Sequence, residues 1–208
     1  MKNSALFILF VGLIVLTISC SKEQDLTPSD SISDYTNLIV GNYWVYDWYE
    51  VDLLEIETYL KTDSIYIEKD TIIFEKNYVI ESGTFLGNPM KRILFDSAQS
   101  LYSYPNLELI FTLDKDIKYV RNIGGSDLTL AIGTYQLSDR SEMVSVPMGT
   151  FDCLNFEGII QSLDDKYEYG TRDIDNYFAK NIGLVKASCF LYNSPNILEM
   201  RLVRHGKM

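Results

Sequence analysis

The one histidine of the 208-residue chain is His205, three residues from the C-terminus. Any triad or dyad built on imidazole would have to use it. A general base must be held rigidly against its target, which a chain end seldom offers. No pair of His or Cys has zinc-ligand spacing, and neither a P-loop nor a dinucleotide fingerprint is present. Gly124-Gly125 reads as a turn. Carboxylates pair at Asp114/Asp116, Asp164/Asp165 and Asp173/Asp175, and none of these matches a calcium-binding EF-hand loop. Asp173 and Asp175 come nearest and are the weak calcium candidates. Paired acids also serve glycosidases, but surplus acids in an acidic chain carry little information. The expectation is a non-enzymatic protein with no catalytic residue, no assigned metal site and no cofactor.

Two groups of residues stay open. Cys153 and Cys189 are an even pair once Cys20 is set aside. In an oxidising compartment they form either a disulfide, worth roughly 4 kcal/mol for a loop of this length, or two buried thiols packed as small hydrophobes. The absence of CxxC argues against redox chemistry. Tyr43, Trp44, Tyr46, Trp48 and Tyr49 form the densest aromatic group. On a strand Trp44, Tyr46 and Trp48 share one face, with Tyr43 and Tyr49 on the other. That face is either core, where such rings bury much area, or a ligand-binding platform that stacks on sugars.

The N-terminus gives an address. Lys2 precedes an apolar run from Ala5 to Ile18. A secretory h-region spans roughly 7–15 residues, whereas a membrane-crossing helix needs about 20. Leu16-Thr17-Ile18-Ser19-Cys20 resembles the bacterial lipobox, with Ser19 as the small residue before the cysteine. The resemblance implies a signal peptide at 1–19, cleavage before Cys20, and palmitate-type acyl chains on Cys20 that anchor the protein to a membrane. One chain binds only marginally, so firm anchoring needs several. The polar segment Ser21-Lys22-Glu23-Gln24-Asp25 resembles export signals of outer-membrane lipoproteins, displayed on the surface or on the periplasmic face. Without residues 1–19 the chain keeps 189 residues, with 17 basic against 29 acidic side chains. That acidity repels phosphate backbones, so no nucleic-acid partner is expected.

The elements that must position these residues are strands. Residues 20–37 read as the lipidated cysteine and a flexible tether, rich in Ser, Thr, Asp and Pro. Residues 38–208 read as a single domain. Strands are predicted over Gly41–Asp52, Asp63–Lys69, Ile72–Glu81, Lys91–Asp96, Leu107–Leu113, Leu128–Leu137, Met143–Val146, Thr150–Ile160, Lys166–Thr171, Tyr177–Lys180, Leu184–Tyr192 and Ile197–His205. One helical turn fits Leu53–Leu60. Short strands joined by tight turns predict a mainly antiparallel all-β fold: a curved sheet, sandwich or open half-barrel with at most one or two short helices.

Three segments carry a family resemblance. Val40 to Tyr46, Val146 to Cys153 and Tyr177 to Lys186 resemble the VGNYWxY, VPxGTFDC and YYAKGVGLVK motifs of uncharacterised Gram-negative lipoproteins. The resemblance spans most of the domain. It implies an antiparallel β fold with a curved sheet like that of lipoprotein carriers, and no particular activity. The function expected is a lipid-anchored envelope protein that binds a ligand or supports an assembly. Its partner is a glycan or an envelope protein, and a carboxylate-based hydrolase is the remote alternative.

Overall fold

A computed structural model describes residues 30–125, 128–163, 170–191 and 194–208. The apolar run, Cys20 and Asp164/Asp165 lie outside the described residues.

The chain opens with a five-residue helix, α1 (Ile32–Thr36), and continues as β1 (Asn42–Val51), β2 (Glu57–Ile73), β3 (Lys76–Phe85), β4 (Asn88–Ser97), β5 (Ser100–Tyr104), β6 (Glu108–Thr112) and β7 (Tyr119–Gly125). Then come β8 (Leu128–Val146), β9 (Gly149–Ser162), β10 (Thr171–Ile174), β11 (Asn176–Ala179), β12 (Gly183–Phe190) and β13 (Ile197–Lys207). All belong to one antiparallel sheet in the order β6-β5-β4-β3-β2-β1-β13-β12-β11-β9-β8-β7, with β10 alongside β9. The sheet curls into a nearly closed barrel. An ion pair between Arg121 of β7 and Glu108 of β6 bridges the seam between its two edge strands. Of the architectures the sequence left open, the curved, barrel-like sheet is the one formed.

Period-2 alternation explains the closure. Along β1, Asn42, Trp44, Tyr46 and Trp48 are buried while Tyr43, Val45 and Asp47 are half-buried. The inward rings join Ile65, Ile67, Val185, Leu198, Met200 and Leu202 in one core cluster. The outward rings Tyr43 and Tyr49 lie under the guanidinium groups of Arg204 and Arg201, at 5.6 and 4.7 Å. A second cluster around Phe111, Leu94 and Phe156 fills the barrel beside α1.

Because consecutive strands alternate in direction, the connections sort to two ends. The β1–β2, β3–β4, β5–β6 and β7–β8 turns share one end. The helix, the β2–β3 and β4–β5 turns and the β11–β12 turn share the other.

Three expectations are corrected. Residues 30–37 do not extend the tether. Ile32 and Tyr35 of α1 are buried and pack into the core at one end of the barrel. Ser31 N donates to Asp34 Oδ2 at 3.1 Å, and Asn37 ends the helix in the left-handed region, φ 51°. No helical turn forms at Leu53–Leu60. The Asp52 carboxylate accepts from Leu54 N and Ile56 N at 2.8 and 2.9 Å, fixing a tight loop, and β2 begins at Glu57. Ile72–Glu81 is not one strand, because the chain reverses at Phe74 and Glu75, with φ 48° and 63°. Neither Gly nor Asn marks that turn, so the sequence hid it.

Candidate functional site

The inward face of β1 borders a cavity of about 190 Å³. Trp44, Tyr46 and Trp48 form one wall, and Glu81 and Arg92, cross-strand partners on β3 and β4, line it as well. Leu94, Leu101, Ile110, Phe178 and Leu184 supply apolar surface between them. Thr36 and Leu38 border the cavity beside α1, and Phe85 borders it at the hairpin end. An engineered cavity of about 150 Å³ accommodates a benzene ring. This cavity therefore takes a ring or a short stretch of alkyl chain as it stands.

The β1 aromatics are thus not a surface platform. All three are buried. Trp44 Nε1 donates to the Ile182 carbonyl at 2.7 Å, and Tyr46 Oη donates to the Leu184 carbonyl at 2.9 Å. Burial, reinforced by the Glu81 carboxylate and opposed by Arg92, pushes the Tyr46 phenol well above its ordinary pKa. Trp48 differs from the other two. Its ring packs edge-on to Phe85, centroids 4.9 Å apart at 79°, and its indole N–H has no hydrogen-bond partner among the described residues. The Thr36 hydroxyl is likewise buried without a partner. Trp48 and Thr36 both line the cavity.

The ion pair beside them is asymmetric in solvent access. Arg92 Nε and Nη2 lie 2.7 and 2.5 Å from Glu81 Oε2. The Glu81 side chain is 9% exposed and that of Arg92 41%, so solvent reaches the guanidinium. The cavity wall thus offers apolar area and a charged pair, with the Trp48 N–H and the Thr36 hydroxyl buried on two of its lining residues.

The remaining candidates do not assemble into a site. Cys153 and Cys189 are free thiols. Cys153 pairs with Ala179, which pairs with Gly183, whereas Cys189 stands near the far end of β12. A strand rises about 3.3 Å per residue, so the two cysteines are far beyond the roughly 7 Å Cα separation a disulfide allows. Burial pushes the Cys153 thiol up to about 12, with Asp152 and Glu142 adding to the rise, and burial raises Cys189 as well. Asp173 is exposed on β10, while Asp175 Oδ1 accepts from Asn155 Nδ2 at 2.8 Å. Among the described residues no group of three or more His, Cys, Asp or Glu is arranged to hold a metal. Asp114 serves its own turn, accepting from Asp116 N at 3.0 Å. His205 is not at a loose end. It lies on β13, its ring stacks on Trp44 with centroids 5.4 Å apart, and Asn37 Nδ2 stands 3.2 Å from its Nε2. Glu81 and Arg92 escaped sequence reasoning because an inward charge on a strand looks like any surface charge until the register is known.

The class of protein this defines is a nearly closed antiparallel β-barrel with a helix over one end and an amphipathic cavity inside. Among solved structures the chain is similar to a Bacteroides fragilis protein named "putative exported protein with YmcC-like fold", at 14% identity over 83% of this chain and 99% of that one, with a TM-score of 0.50. It is also similar to a "putative lipoprotein" from Parabacteroides distasonis, at 15% identity over 85% and 100% of the two chains, with a TM-score of 0.46. No protein-family model and no curated protein matches the chain.

Proposed function

We propose that this is a lipid-anchored envelope protein, of the Gram-negative lipoprotein family its motifs resemble, and a binding protein rather than an enzyme. Its barrel interior takes the apolar body of a small amphiphile that carries an acceptor oxygen. The observation behind this reading is the pair of buried polar groups without partners, Trp48 Nε1 and Thr36 Oγ1, both on cavity-lining residues. A buried unsatisfied polar group costs about 1–3 kcal/mol, and a ligand oxygen that reached either one would remove that group's penalty. The envelope address rests on the apolar run, Ser19 and Cys20. It also draws on the exported protein of the same fold. Anchorage in the outer membrane is the finer part of the same reading. The apolar lining and the burial of Trp44, Tyr46 and Trp48 favour an alkyl ligand over a glycan.

Trp44 and Trp48 are the chain's two tryptophans, and both border the cavity. Their emission is to be followed in the chain from Ser21 onward, which carries neither the apolar run nor acyl groups of its own, during titration with alkanoates of increasing length. Affinity should rise about fourfold per methylene, or ~0.8 kcal/mol, and level off once the cavity is full. An emission spectrum unmoved by every member of the series would mean that the cavity holds only water, and the reading would fail.

A further inference from the structure

We infer that the hairpin end of the barrel, opposite α1, is a docking surface for a neutral lipid bilayer through which the cavity exchanges its ligand. The inference rests on the ligand reading above for what passes, but not for the docking itself.

The first observation is a set of exposed apolar side chains on four hairpins at one end. Leu53 and Leu54 are 76% and 78% exposed, and Ile56 is exposed beside them on the β1–β2 loop. Phe85 ends β3, Leu107 lies in the β5–β6 turn, and Leu128 opens β8, and all three are exposed. Each belongs to a different hairpin, yet alternation of strand direction brings all four hairpins to the same end. Neighbouring strands lie about 4.8 Å apart, so adjacent tips are spaced by roughly twice that. Apolar fingers around a mouth suit a surface that flows between them. A rigid protein partner would need a continuous patch.

The second observation is continuity between rim and cavity. Phe85, 39% exposed, is at once a tip residue, a wall of the cavity and the ring packed against Trp48. Moving it opens the interior toward the tips. At the opposite end Ile32 and Tyr35 of α1 pack into the second core cluster.

The third is the path of the chain. Asp30, the first described residue, pairs with Lys180 in the β11–β12 turn, at the α1 end. The described chain thus enters the barrel at the end opposite the tips.

Charge selects the lipid. Asp52 and Glu55 stand among the β1–β2 tip residues, Glu57 is paired with Arg201, Lys61 reaches the β3–β4 turn, and the whole chain carries a net charge of −11. Anionic headgroups would be repelled, and zwitterionic ones would not. The Asp52 carboxylate holds the loop from within, so Leu53 and Leu54 are presented on a fixed backbone.

The test is flotation of the chain from Ser21 onward, which carries neither the apolar run nor an acylated cysteine, with vesicles of pure phosphatidylcholine and with vesicles enriched in phosphatidylglycerol. The chain should float with the first and bind the second at least tenfold less. Leu53→Ser with Leu54→Ser should lower the bound fraction at least tenfold while leaving the unfolding midpoint and the tryptophan response to alkanoates in solution unchanged. Ile72→Ser with Phe74→Ser, at the exposed tip of the β2–β3 hairpin on the other end, should leave flotation unchanged. Flotation that survives the Leu53/Leu54 change, or is lost with Ile72/Phe74, overturns the docking surface, as does failure to float at all. If flotation follows the prediction but alkanoates never move the emission, the docking stands and the ligand reading falls.

Discussion

Trp44 donates its indole N–H to the carbonyl of Ile182 at 2.7 Å. Two residues along the same face, Tyr46 donates its hydroxyl to the carbonyl of Leu184 at 2.9 Å. These bonds join β1 to the β11–β12 hairpin, which β13 separates from it in the sheet. Two of the three sequence motifs thus lie against each other across the barrel interior, and the aromatic residues of the first are placed by backbone oxygens of the third.

Gly183 is the residue that permits this approach. Its φ is +102°, and a Cβ there would lie 3.3 Å from Trp44 Nε1 and 3.4 Å from the Thr36 carbonyl. Gly183→Ala should destabilise the fold by about 1–3 kcal/mol through backbone strain and displacement of the indole. Urea unfolding measures it, and a loss well below 1 kcal/mol would show that the hairpin relaxes freely.

The two core thiols should behave as inert hydrophobes. Reductant is expected to leave the unfolding midpoint unchanged, and a thiol reagent should label Cys153 only once the chain is unfolded, since burial holds its pKa at about 12. A midpoint that falls on reduction would require a disulfide, which the strand register of β9, β11 and β12 does not allow, and would overturn that register.

The fold was legible where period-2 alternation was strong and turns were marked. β1, β4, β6, β9 and β13 stand close to where the sequence predicts them, because Asn-Pro, Pro-Met-Gly and Ser-Pro-Asn punctuate them. β5 and β7 were missed, as short edge-side strands with no clear alternation. The helix was missed because a spacer composition of Ser, Asp and Thr also supplies helix caps. Ser31-x-x-Asp34 followed by Tyr35 was a readable signal of an N-terminus. The aromatic face of β1 was read as either core or ligand platform, and it proves to be both buried and cavity-lining. Glu81 and Arg92 could not be foreseen, since facing inward depends on a register set by pairing with distant strands.

His205 gives the fold a pH dependence of definite sign. Burial lowers its pKa below the ordinary 6.5. Asn37 Nδ2 can donate to Nε2 only while that nitrogen is unprotonated. The unfolded chain therefore binds the proton first as pH falls, and stability drops from about pH 6.5 downward until the folded state also protonates. Unfolding midpoints at about pH 7.5 and about pH 5.5 should differ. His205→Asn should flatten that part of the profile, and an equal slope in both proteins would assign the effect elsewhere.

The Glu81–Arg92 pair should prove a liability when halved. Arg92→Met leaves a nearly buried carboxylate without its partner, a loss of about 1–3 kcal/mol after allowing for solvent at the guanidinium. Adding Glu81→Gln removes the stranded charge and should restore most of that loss. A double-mutant cycle in urea reads the coupling directly, and additive losses would mean that the two side chains act independently.

Thr36→Val separates a structural hydroxyl from one that waits for a ligand. The substitution keeps the side chain's shape and β-branching in α1 and deletes a buried group that has no partner. A hydroxyl paired within the fold would cost about 1 kcal/mol when removed. The unliganded chain should instead be as stable as before, or more stable by up to about 1 kcal/mol, because an unsatisfied polar group has left the interior. The same change should weaken alkanoate binding several-fold, since the ligand oxygen loses a partner while the apolar lining is untouched. Calorimetric unfolding and the tryptophan titration, run on one preparation, read the two effects side by side. Lost stability with unchanged binding would mean that the hydroxyl serves the fold through a bound water, and Trp48 would then be the lone donor facing the ligand.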